Sequence, residues 1–95
     1  MIAANPNDAF ARYGLAMEYR GAGDLEGTAR EFGALIAADP EYAASYLYAG
    51  ETLERLGRIE DARAVYRQGI EVTTRSGDHH AREKLEAALR VIICG

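Results

Sequence analysis

An all-α fold built from repeated helical hairpins is predicted by three features of the sequence. Pro6 and Pro40 stand thirty-four residues apart, Gly23 and Gly57 repeat that interval, and no stretch alternates apolar and polar residues as a strand requires. A fixed period between about twenty and fifty residues marks stacked copies of one supersecondary unit, each too small to bury its apolar face alone. The 95 residues form one domain, 1–95.

The elements follow in chain order. Asn5-Pro6 and Asp39-Pro40 read as helix starts, because the polar side chain can accept from the free N–H groups of a first turn and Pro loses no bond there. Asp8 and Glu41 then put negative charge in the first turn, where the helix dipole favours it. From Pro6, Phe10, Leu15, Ala16 and Tyr19 recur at helical spacing until Gly21-Ala22-Gly23. Asp24 caps a second helix carrying Leu25, Thr28, Phe32, Leu35 and Ile36. The second pair repeats the plan with Tyr46, Ala49, Gly50, Leu53 and Leu56 up to Gly57, then Ile59, Ala62, Tyr66 and Ile70. The run from Thr73 to Gly77 reads as a break. A fifth helix, capped by Ser76 or Asp78, presents Ala81, Leu85, Ala88, Leu89 and Ile92 on one face and His80, Glu83, Lys84, Glu86 and Arg90 on the other.

Composition narrows the function. A net charge of −4 argues against nucleic acid, since phosphate binding needs a local excess of Lys and Arg. Of the eleven basic residues only Lys84 is lysine, and the arginines interleave with Glu and Asp as on a solvated, ion-paired helical surface. No apolar run reaches the ~18 residues of a membrane span, and residues 1–4 show no signal-peptide pattern. Cys94 is the sole cysteine, and a cytoplasmic setting is the expectation. Catalytic chemistry finds no support. His79 and His80 diverge by about 100° on a helix, His79 with Glu83 supplies two metal ligands at most, and the glycines near Gly23 lack a phosphate-loop continuation. No cofactor and no metal are expected, and the protein is read as no enzyme.

Aligned at an offset of thirty-four, Ala9 pairs with Ala43, Tyr19 with Leu53, Gly23 with Gly57, Leu25 with Ile59, Phe32 with Tyr66 and Ile36 with Ile70. With these slots filled twice, the chain resembles the tetratricopeptide repeat family. The first unit supplies Leu15, Ala16, Tyr19, Gly23, Thr28, Phe32 and Pro40, and the second Ala49, Gly50, Leu53, Gly57, Ala62 and Tyr66. Arg12, Thr28 and Thr74 depart from the family's usual Trp, Ala and closing Pro. The small residues Ala16, Gly50 and Ala62 still permit close helix approach. The resemblance implies a right-handed α-hairpin array (an α-α superhelix) of two tetratricopeptide-like repeats, about 6–39 and 40–74, plus a C-terminal capping helix over about 78–93.

The same resemblance implies a non-catalytic scaffold or adaptor that binds a protein or peptide partner on a concave face. The face positions would be Tyr13, Met17 and Arg20 on the first helix, with Leu47, Tyr48, Glu51 and Arg55 on the third. Tyr13, Met17, Leu47 and Tyr48 are large residues that the core pattern leaves over, of types suited to an adhesive surface. The family's clamp for chaperone C-termini is missing, because Tyr13, Met17 and Tyr48 stand at its positions. A second reading is a self-assembly module, a homodimer formed through Val91, Ile92 and Ile93 of the last helix. No membrane partner is expected.

Overall fold

The computed structural model describes residues 8–94, with side chains through Ile92, and folds them into five helices. These are α1 (Ala9–Gly21), α2 (Leu25–Ala38), α3 (Ala44–Arg55), α4 (Ile59–Ser76) and α5 (His79–Cys94). The helix start at Asn5-Pro6 and the side chains of Ile93 and Cys94 lie outside the described residues.

Local chemistry explains most boundaries. Asp8 caps α1 by accepting from the Phe10 N–H at 3.0 Å, and Asp24 caps α2 through the Gly27 N–H at 2.9 Å. Three helices end in one motif: Gly23, Gly57 and Gly77 adopt φ of 77°, 79° and 77°. The next residue in each case, Asp24, Arg58 or Asp78, donates its N–H back to the carbonyl of Tyr19, Leu53 or Thr73. This left-handed closure satisfies the last carbonyls and is open to glycine without a Cβ penalty.

Three boundaries differ from the sequence expectation. Asp8, expected inside a first turn that opens at Pro6, is extended (φ −71°, ψ 120°) and caps a helix that begins at Ala9. Asp39 does not start α3; its carboxylate accepts from the Glu41 N–H at 3.3 Å, within a turn that the Tyr46 hydroxyl holds by donating to the Pro40 carbonyl at 2.6 Å. Helix α3 begins four residues after Pro40, at Ala44. Nor does α4 break at Thr73. It runs on to Ser76, because Thr73 is fully buried with its hydroxyl donating to the Gly69 carbonyl at 2.8 Å. Asp78 then caps α5 by accepting from the Ala81 N–H.

Each helix packs on its chain neighbour, and α3 also touches α5. The described residues measure 47 × 30 × 18 Å. Two apolar clusters form the core. One joins Ala16, Phe32, Leu35 and Ala49, the other Tyr46, Ala62, Tyr66, Val72 and Leu85, and Ile36 and Val65 pack against both. The small residues act as read from the sequence: a Cβ on Gly50 would come within 2.2 Å of the Tyr66 ring. Phe10 and Leu15, which recur at helical spacing along α1, are exposed at 76% and 42%. At about 100° per residue they sit roughly 120° and 100° around the helix from the buried Ala16, off the packed stripe. Ile59 is likewise on the surface.

Candidate functional site

Helices α1, α3 and α5 together line one groove. Its first hollow, of ≈ 270 Å³, is walled by Tyr13 from α1, by Ala44, Leu47 and Tyr48 from α3, and by His80, Ala81, Lys84 and Leu85 from α5, with Ala43 and Asp78 at the helix starts. Tyr13, Leu47 and Ala81 stand at successive intervals of thirty-four, so the repeat brings one position from three helices to one wall. A second hollow, of ≈ 340 Å³, lies against the C-terminal halves of α1 and α3 and is lined by Arg20, Leu25, Glu51, Thr52, Glu54 and Arg55.

Tyr48 links the two hollows. Its ring stacks on Phe32 at 5.4 Å between centroids, and the Arg20 guanidinium lies 4.9 Å from its centre, within cation–π range. Tyr13 completes the cluster, with its ring 6.2 Å from Phe32, 5.6 Å from Tyr42 and 6.1 Å from Tyr48. Its hydroxyl pKa is raised, first by hydrogen bonding with Tyr48 and then by burial.

Six of the seven face residues named from the sequence therefore line a hollow: Tyr13, Leu47 and Tyr48 the first, Arg20, Glu51 and Arg55 the second. Met17 lines neither and packs beside the Ala16–Phe32 cluster. The expectation that Tyr13 and Tyr48 are left over from the core is corrected. Both are half-buried and support Phe32, so they are structural as well as accessible. Of the last helix, Val91 is exposed, whereas Ile92 packs against the second core cluster.

Sequence reading missed the contribution of α5. His80 and Lys84 look like ordinary solvent-facing residues until a third step of thirty-four from Tyr13 and Leu47 is taken to Ala81. Below the groove, Tyr66 donates its hydroxyl to the Glu54 carboxylate. Its pKa is raised, mainly by burial and then by that hydrogen bond.

Among the described residues no group of three His, Cys, Asp or Glu is placed to hold a metal ion, and no helix is long and apolar enough to cross a membrane. A sequence model of the tetratricopeptide repeat matches residues 19–89. Two solved structures of a tetratricopeptide repeat domain protein from Salinibacter ruber are similar, each at 34% identity. The crystal structure aligns with a TM-score of 0.84 over 90% of this chain and 94% of that one. The solution NMR structure gives 0.87 over 94% and 90%. No curated protein matches the chain.

Proposed function

The chain belongs to the tetratricopeptide repeat family, and from that premise we propose that it is a non-catalytic interaction module whose α1–α3–α5 groove receives a peptide segment or helix of a protein partner. Domains of this family commonly mediate protein–protein contacts. The observation that carries the reading is the convergence of Tyr13, Leu47 and Ala81, one repeat position used three times, on a hollow floored by aromatic and aliphatic side chains. Concave, mostly apolar surfaces with a few polar groups at the edge are where ligands bind. An adaptor working in the cytoplasm is part of the same proposal.

The test fills the groove without removing a core side chain. Ala44 is exposed on the groove wall, so Ala44→Gln projects a longer, uncharged side chain into the hollow from a helical position that tolerates it. Affinity capture followed by mass spectrometry should lose its specific partner with Ala44→Gln and keep it with Ala64→Gln, placed on the exposed side of α4. Equal capture by both variants would remove the groove from the proposal.

A further inference from the structure

Resting on that groove reading, we infer that the partner segment is apolar at its centre and acidic on both flanks, its side-chain carboxylates meeting Lys84 at one end of the groove and Arg20 with Arg55 at the other. Arg30, Arg58, Arg63 and Arg75, all on α2, α4 or the turn that opens α4, are each paired with a carboxylate. The groove cations Arg20, Arg55 and Lys84, on α1, α3 and α5, are within ion-pair distance of no carboxylate among the described residues.

The groove's own acids do not supply the missing partners. Glu54 accepts from Tyr66, and Asp78 accepts from the Ala81 N–H as the cap of α5. Glu51 is the remaining lining carboxylate against three cations. Arg20 spends one face on the Tyr48 ring, which leaves its N–H edge free to fork onto a carboxylate. Between the charged ends stand Tyr13, Leu47 and Tyr48, the seat for an apolar side chain.

The spacing sets a length. From Leu47, which lines the first hollow together with Lys84, to Arg55 is eight residues of α3, or about 12 Å at 1.5 Å per residue. An extended segment covers that in about four residues at roughly 3.3 Å each.

Fluorescence anisotropy with three labelled peptides, acetylated and amidated so that neither terminus is charged, tests this. Each has a central leucine-alanine-leucine flanked on both sides by two glutamates, two glutamines or two lysines. The glutamate peptide is expected to bind at least tenfold tighter than the glutamine peptide, and the lysine peptide weakest. The double variant Lys84→Glu, Arg55→Glu should invert that order, with helicity unchanged by circular dichroism. Equal binding of the glutamate and glutamine peptides, both lost with the neutral blocking variant Ala44→Gln, would overturn the charge inference and leave the groove standing. Glutamate-peptide binding untouched by Ala44→Gln would instead overturn the groove itself. Failure of all three peptides to bind overturns the charge inference.

Discussion

The ring of Tyr66 occupies the space that Gly50 leaves empty. A Cβ at position 50 would lie 2.2 Å from one ring carbon and 2.5 Å from another, and the ring is fully buried. The close approach of α3 to α4 depends on this pair.

Gly50→Ala should therefore destabilise the protein although alanine is the better helix former. Overpacking at the rigid end of its range, about 3 kcal/mol, outweighs roughly 1 kcal/mol of gained helix propensity. A net loss of about 2 kcal/mol lowers Tm by about 10 °C for a domain of this size. Thermal melting by circular dichroism checks the sign and size.

Stability should fall on the alkaline side. Tyr13, Tyr46 and Tyr66 all have raised pKa values, Tyr46 and Tyr66 chiefly through burial. Tyrosine is charged only when deprotonated, so the fold favours the neutral form. That contribution is whole below the unfolded pKa of about 10 and is lost as pH rises beyond it, by at most ~1.4 kcal/mol per pH unit for each tyrosine. Urea denaturation between pH 8 and 11 should show the decline, and Tyr66→Phe should make it shallower.

The Arg58–Glu26 pair joins the starts of α4 and α2, with two N–H···O contacts of 3.1 and 2.9 Å. Both side chains are largely exposed, so solvent screens the pair. A double-mutant cycle should give a coupling below about 1 kcal/mol that fades in 1 M salt.

Tyr48 should separate packing from recognition. Tyr48→Ala strips the stacked ring from Phe32 and the platform beneath Arg20, costing about 2 kcal/mol for a half-buried aromatic. Tyr48→Phe keeps the ring and should cost less than about 1 kcal/mol. Loss of partner capture with Tyr48→Ala alone would thus report on stability, whereas loss with Tyr48→Phe at unchanged Tm reports on the hydroxyl in the groove.

Much of the fold is legible because its rules are local or periodic. The Asp24 cap, the turns at Gly23 and Gly57 and the doubled slots Phe32 and Tyr66 all follow from residue type at a fixed interval. Harder to read were places where tertiary partners decide. Thr73 looks like a helix breaker, but a buried site and the Gly69 carbonyl accommodate it within α4. Phe10 and Leu15 carry apolar character at helical spacing, yet no neighbouring helix covers them. The groove is half visible in the sequence: the repeat names α1 and α3, while α5 reads as a cap and its Lys84 as a solvent-facing residue.

Ile36 and Val65 reach both apolar clusters, and that narrow bridge governs how the molecule comes apart. In a stack where helices touch mainly their chain neighbours, unfolding is cooperative only as far as the contact between adjoining units is worth more than the independence of each. Weakening the bridge, as in Ile36→Ala with Val65→Ala, would let the α1–α2 hairpin melt ahead of the α4–α5 end. The groove runs across both halves, so the two aliphatic side chains hold its walls to a common spacing without touching a ligand.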